Sequence, residues 1–338
     1  MAEVVQHSEF KILGLGRCCV DEYWRIAREG ERFDSVKYSV CHAGLALGGS
    51  VPRALACLQA DSLNALFIGQ VGNDNSLNRV IEEGMDRFGI SCRLIIGRHT
   101  MRSFVILRQD GSLMSIYSEE ESDTEKLQSD AVQHIVKEVC PRLFLVDARH
   151  ISAATVAIRT MSNCRQVTVL DPGSTVGCNF RTESEREEVG AFLSLCSIVI
   201  ASDLFYLQVT RLEALDEAFK AVLSRGPSLL VVTLEDGQCR FVSASFDFVL
   251  APFPVTMRGN TLGAGDMFRG WFLAELLHHL ASLKDMKELN QETVHRSGLY
   301  GLAAVALRKA DNSMVPQIAK RSELNDFMSV QQERLDEH

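Results

Sequence analysis

The chain has 338 residues, of which 46% are apolar and 23% charged, enough apolar material to bury a sizeable core of the ordinary soluble class. Its net charge of −9, with no basic block to offset it, excludes nucleic acid or an anionic membrane as the main partner, and no apolar run of about eighteen residues offers a membrane span. Ten cysteines stand without a Cys-x-x-Cys pair or a signal peptide, so they read as reduced, mostly buried small residues in a reducing, cytoplasmic compartment.

In chain order, Lys11-Ile12-Leu13-Gly14-Leu15-Gly16 predicts a short buried strand. Its Gly-x-Gly invites a dinucleotide reading, but Cys19 stands where a third glycine belongs and Val20 to Ile26 alternates as an extended segment instead of a helix. Residues of about 20–27 and 35–43, with Met101 to Leu107 and Ser112 to Tyr117, form short alternating segments joined by turns such as Gln109-Asp110-Gly111. Gly48-Gly49 opens a helix through Leu58 that carries Pro52 and Arg53. Ala65 to Gly69 is a strand, followed by the turn Gln70-Val71-Gly72-Asn73-Asp74 and a helix ending near Phe88-Gly89.

Leu143 to Asp147, Val167 to Asp171, Ile198 to Ala201 and Leu229 to Thr233 are four further apolar runs. Helical stretches separate them, notably Ala153 to Met161, Glu185 to Leu195 and Leu212 to Leu223. This alternation predicts a mainly parallel sheet covered on both faces. Ligands on such sheets bind beyond the carboxyl ends of the strands, where Asp147, Asp171, Ser202 and Thr233 fall. Asp147-Ala148-Arg149-His150 reads as a salt-bridged strand end in preference to a metal site, and His278-His279 has no spaced partner to bind zinc.

The most informative stretch is Gly259-Asn260-Thr261-Leu262-Gly263-Ala264-Gly265-Asp266. Phe268, Phe272, Leu276 and Leu280, with Leu273 and Leu277 on the adjacent row, predict a buried helix directly after it. A glycine loop feeding a helix start offers unpaired N–H groups and the positive end of a macrodipole, which suit a transferring phosphoryl group. Asp266 lies in the first turn, where a carboxylate repels an anion unless it has a task, and accepting a proton from an attacking hydroxyl is such a task. In the last long helix, about 291–308, Gly301, Ala303, Ala304 and Ala306 suit either an adenine ring or a tightly packed neighbour. After Pro316 a polar helix leads into a charged tail, 329–338, expected to fray.

The octet resembles the C-terminal signature of the ribokinase, or pfkB-type, carbohydrate kinase family, usually Asp-Thr-x-Gly-Ala-Gly-Asp. Gly16 to Asp21 resembles that family's Gly-x-x-x-x-Asp strand end, Gly48-Gly49 its Gly-Gly-x-x-x-Asn signature, and Val71 to Asp74 its Val-Gly-x-Asp turn. The resemblance covers about residues 10–328. It implies an α/β, ribokinase-like three-layer sandwich with a small β-lid from about 20–43 and 101–117, a lid that serves several members as a dimer surface.

The implied activity is transfer of the ATP γ-phosphoryl group to a hydroxyl of a sugar or sugar derivative. In that scheme Asp266 is the general base, and Gly263, Ala264, Gly265 and Asp266 turn backbone N–H groups towards the developing charge. Asp21, Gly48, Gly49 and Arg53 hold the acceptor, and Thr233, Gly237 and Thr261 line the nucleotide side. Magnesium arrives with ATP, without a dedicated metal site in the protein.

Several positions depart from the family pattern. Arg53 replaces the signature asparagine, and its guanidinium suits an acidic acceptor or a structural role. Ser202-Asp203-Leu204-Phe205 lacks the glutamate of the usual Asn-x-x-Glu, and Glu235 and Gly237 depart from Thr-x-Gly-x-x-Gly. Asn260 replaces the signature aspartate, and Leu262 the threonine usual at the x position, which deprives a monovalent-cation site of its aspartate. Two other readings stay open: a non-catalytic relative that binds a ligand and reports it, and a nucleoside kinase of the same fold, which needs an aromatic cradle for the base.

Overall fold

The structure is a computed structural model that describes residues 12–26, 40–108, 113–117, 127–139, 141–161, 166–173, 180, 182–256, 260–280, 286, 289–311 and 313–336. The chain opens with β1 (Ile12–Leu15), β2 (Cys19–Ile26), β3 (Val40–Gly48), α1 (Ser50–Ala60), β4 (Ala65–Val71), α2 (Asn75–Arg87) and β5 (Ser91–Ile96). It continues through β6 (Arg102–Leu107), β7 (Leu113–Tyr117), α3 (Ser129–Val139), β8 (Leu143–Asp147), α4 (Ile151–Thr160), β9 (Val167–Asp171) and α5 (Glu183–Phe192). Then come β10 (Ile198–Ser202), α6 (Asp203–Thr210), α7 (Leu215–Leu223), β11 (Leu229–Thr233), β12 (Cys239–Ser243) and β13 (Asp247–Leu250). Three helices close the chain: α8 (Ala264–Leu280), α9 (Gln291–Ala310) and α10 (Arg321–Asp336).

The central sheet has the order β13-β12-β11-β10-β9-β8-β1-β4-β5. It is parallel from β5 to β11, with β12 and β13 added antiparallel at one edge. Both faces are covered, which is why its strands read as unbroken apolar runs. Leu143 and Leu145 enter one core with α1, α8 and α9, while Phe144 and Val146 enter the other with α3, α4 and α5. The mainly parallel three-layer arrangement is the one expected from the strand and helix alternation.

A second sheet, β3-β2-β6-β7, stands where the lid was expected. Its strand β3 runs from Val40 to Gly48, later than the segment 35–43 predicted from alternation. The turn at 109–111 and residues 35–39, like Lys11, Gly259, Cys140, Cys164 and Cys178, lie outside the described residues. Helix α10 runs as far as Asp336, through most of the charged stretch 329–338. The seven described cysteines are free, and burial pushes the Cys18 and Cys239 thiols up to about 12.

Candidate active site

Two glycine turns start the helices that frame the site. Gly49 caps α1 with φ 111°, a backbone angle open to glycine, and a Cβ there would lie 2.3 Å from the Arg17 carbonyl oxygen. Gly263, with φ 75°, turns the chain into α8. The two helices meet where Gly270 packs against Ala54 and Cys57, so closely that a Cβ on Gly270 would sit 2.5 Å from the Cys57 Cβ. One turn back on each helix stand Asp266 and Arg53, and this close approach brings them together.

Arg53 is buried and joins two carboxylates. Its Nη2 pairs with Asp21 Oδ2 and donates to the Tyr23 hydroxyl at 3.2 Å, while its Nη1 donates to Asp266 Oδ2 at 3.5 Å. Burial alone would lower this guanidinium, yet Asp21, Tyr23 and Asp266 outweigh it and hold it above its ordinary value. Asp21 in turn packs against bare backbone, since a Cβ at Gly48 would meet its Oδ1 at 2.4 Å.

On the other side of Asp266, Arg269 Nη1 donates to Oδ1 at 2.8 Å, and Arg269 Nε lies 3.0 Å from Asp171 Oδ1. The result is one row of alternating charges: Asp21, Arg53, Asp266, Arg269 and Asp171. Asp171 is fully buried and accepts the Gly173 N–H at 2.9 Å. Burial pushes its carboxyl up to about 6, against the pull of Arg269.

The folded state therefore holds the Asp171 proton up to about 6, whereas an unfolded aspartate releases it near 3.8, so this group's contribution to stability falls as pH rises between those limits. Thermal melts across that window will show wild type gaining on Asp171→Asn as the pH is lowered. A difference independent of pH would contradict the raised titration.

A cleft of about 450 Å³ opens between the glycine loop and the small sheet. Asp21, Gly49 and Arg53 line one side, Thr261, Gly263, Gly265 and Asp266 another, and Arg102, Ser103 and Val105 of β6 face them. Among the described residues the Gly265 and Asp266 N–H groups have no acceptor, and they point from the first turn of α8, as helix starts require. Ala264 differs from expectation: its N–H donates to the Thr261 carbonyl at 3.0 Å, which closes the turn and removes it from the anion hole.

Thr233 and Gly237 do not line this cleft. Thr233 ends β11, its hydroxyl donating to the Ala201 carbonyl at 3.5 Å, and Gly237 lies in the turn to β12 with φ 85°, near Pro252 and Lys309 Nζ. Ser202 precedes α6 with its buried hydroxyl unpartnered, and Asp203 Oδ1 accepts the neighbouring Leu204 N–H. Gly301 packs on the Phe268 ring, so helix packing accounts for this small residue of α9. At the end of β8 the Asp147 carboxylate accepts the backbone N–H groups of Arg17 at 2.6 Å and Arg149 at 2.8 Å. Among the described residues no cluster of three histidine, cysteine or carboxylate side chains suits a metal ion.

Arg269 and Tyr23 escaped the sequence reading although a signal existed for both. Arg269 stands three residues after Asp266 on the same helical face, and Tyr23 two residues after Asp21 on the same strand face. Asp171 was placed at its strand end but not paired with an arginine from a distant helix.

A doubly wound sheet, a glycine turn opening a buried helix and a carboxylate beside free N–H groups fit the chemistry of phosphoryl transfer to an alcohol. Residues 22–310 match the model described as pfkB family carbohydrate kinase, and the chain belongs to that family. It is 24% identical over 266 residues to fructokinase-1 of Zea mays, covering 72% of this chain and 77% of that one. A protein of E. coli described as a ribokinase II and solved with ATP and Mg²⁺ superposes with TM-score 0.75 at 19% identity, covering 95% of this chain and 99% of that one. The Arabidopsis thaliana ribokinase solved with ribose and ATP gives 0.68 at 17% identity, covering 94% and 98%. No helix among the described residues is long and apolar enough to cross a membrane.

Proposed function

We propose that this protein transfers the γ-phosphoryl group of ATP to a hydroxyl of a sugar or sugar derivative, with Asp266 as general base. The observation that carries the reading is that one cleft holds the Asp266 carboxylate, the unengaged N–H groups at the start of α8 and the Asp21 carboxylate. Arg269 binds Asp266 Oδ1 at 2.8 Å, whereas Oδ2 has the longer 3.5 Å contact with Arg53, so Oδ2 is the oxygen open to an acceptor. In the step, the acceptor hydroxyl gives its proton to Oδ2 as its oxygen bonds to the γ-phosphorus. The bond from that phosphorus to the β–γ bridging oxygen breaks, and ADP leaves.

The Gly265 and Asp266 N–H groups and the positive end of the α8 dipole stabilise the charge that develops on the transferring group. Asp21 accepts hydrogen bonds from neighbouring acceptor hydroxyls, with Gly48 and Gly49 leaving room for them. Thr261, Thr233 and Gly237 are assigned to the nucleotide side, a reading supported by Lys309 beside Gly237. Mg²⁺ bound to the ATP phosphates and water would neutralise phosphate charge. The small sheet closes over the acceptor and excludes water. On its far face Leu45, Glu22, Phe104 and Ile116 share one row, with Leu45 and Ile116 exposed, and this supports pairing of two lids in a homodimer.

The fructokinase and ribokinase relatives support a sugar as acceptor. Arg17, Arg53, Arg102 and Arg269 line the cleft, and although Asp21, Asp266, Asp171 and Glu22 pair with three of them, their guanidinium N–H donors suit an acceptor with an anionic group better than a neutral one. Among the described residues no aromatic ring lines it, whereas a nucleoside base needs an aromatic cradle. The double arginine pairing of Asp266 favours a non-catalytic sensor as the second reading. An ADP-release screen over neutral sugars, sugar acids, sugar phosphates and nucleosides separates them. Fastest turnover with an acidic sugar is expected; equal rates with neutral sugars would overturn the acidic preference, and no turnover would favour the sensor.

A further inference from the structure

Arg308, near the end of α9, is 1% exposed, and oxygen atoms enclose its guanidinium. Its Nε donates to the Leu262 carbonyl at 2.9 Å and its Nη2 to Asn260 Oδ1 at 2.7 Å. Its Nη1 reaches the Ser313 carbonyl at 3.3 Å, the Asp311 carbonyl at 3.5 Å and Asp311 Oδ2 at 3.3 Å. Two of these oxygens belong to the segment that runs into the Gly263 turn, and three to the loop that follows α9.

Oxygens that converge in this way repel one another unless a positive charge lies between them. Three backbone carbonyls, one amide oxygen and one carboxylate form the donor set that a hard cation takes from a protein. Here the charge comes from within the chain, and the planar fork of the guanidinium fixes the direction of each oxygen. Asn260 Oδ1 also accepts the Leu262 N–H at 3.0 Å, so Arg308 and the turn share one acceptor. The Leu262 carbonyl that Arg308 holds lies one residue before Gly263, whose own carbonyl accepts the Met267 N–H at 2.9 Å and starts α8.

We propose that Arg308 is a positioning residue, a tethered cation that shapes the Asn260–Gly263 turn so that the Gly265 and Asp266 N–H groups face the cleft without help from any alkali cation. It stands behind the loop and touches neither acceptor nor phosphate. The kinetic part of this inference rests on the phosphoryl-transfer reading, and the structural part does not.

Three measurements test it. In Arg308→Ala the acceptor KM stays near wild type while kcat falls by about 10²-fold, the loss seen when an anion-hole donor is misplaced, and guanidinium at tens of millimolar restores about a tenth or more of it. Arg308→Lys, with a point charge in place of the fork, falls between the two. A merely structural arginine would lower stability with no recovery on adding guanidinium. Hydrogen exchange of the 260–267 segment, which needs no turnover, accelerates in Arg308→Ala and slows again with guanidinium; exchange unchanged by the substitution would overturn the proposal.

Wild type assayed without alkali ions responds less than about twofold to added KCl, because the oxygen cage is already filled. Strong activation by KCl would contradict this even if the alanine variant fails to fold. Should wild type turn over no acceptor at all, the kinase reading fails, and the exchange measurement still decides the role of Arg308.

Discussion

Asp266→Asn will lower kcat for phosphoryl transfer by about 10²- to 10⁴-fold, the usual worth of a positioned general base, and leave the acceptor KM little changed. The amide matches the carboxylate in shape, so α8 and its contact with α1 persist, but it cannot take the acceptor proton. Its NH₂ group must also face either Arg53 or Arg269, both of which donate to Asp266 in the wild type. Steady-state ADP release beside a thermal melt separates the two consequences. A fall in kcat with a folded variant supports the base; a fall in KM affinity alone would assign Asp266 to binding.

Arg53→Ala has the largest expected effect on stability, a loss of about 3–5 kcal/mol, because it removes one partner from a buried ion network and leaves charges uncompensated. Asp21 and Asp266 are 4% and 9% exposed and both pair with Arg53. Without it, Asp21 loses its ion pair with Arg53 and Asp266 keeps its pair with Arg269. Arg53→Lys recovers little, since one ammonium cannot span two carboxylates and a tyrosine hydroxyl. Chemical denaturation measures this, and a loss within the range of an exposed ion pair, about 1 kcal/mol or less, would contradict it. The folded fraction also informs specificity: equal loss of turnover with neutral and acidic sugars would make Arg53 a support for Asp21 and Asp266 instead of an acceptor contact.

Local pattern made much of the fold legible. The runs at 143–147, 167–171 and 229–233 coincide with β8, β9 and β11, because a strand buried on both faces must be apolar throughout. Helix α6 went unread: it spans only Asp203–Thr210, too short to display a period, and its hydroxyl and aromatic residues resemble a strand. The antiparallel edge strands β12 and β13 were missed since Arg240 and Asp247 interrupt the apolar pattern, and these two residues pair across the strands.

The site divided along the same line. Asp21, Gly49, Gly263 and Asp266 announced themselves through short motifs, each set by a local backbone demand. The pairing of Arg53 with two carboxylates, and of Arg308 with the loop 46 residues before it, depends on how α1, α8 and α9 pack. No local spacing encodes such contacts, and substitution of Asn260 and Leu262 signalled a change there without naming the side chain responsible.

The central claim is that Asp266 delivers an acceptor hydroxyl to the γ-phosphorus of ATP held at the start of α8. ATP labelled at the γ-phosphate, incubated with Mg²⁺ and the acceptor panel, tests it most directly. The label is predicted to appear in a phosphate ester of one sugar class with wild type, and to fall to trace amounts with Asp266→Asn. Label recovered only as inorganic phosphate, or an ester formed equally fast by the variant, would contradict the account.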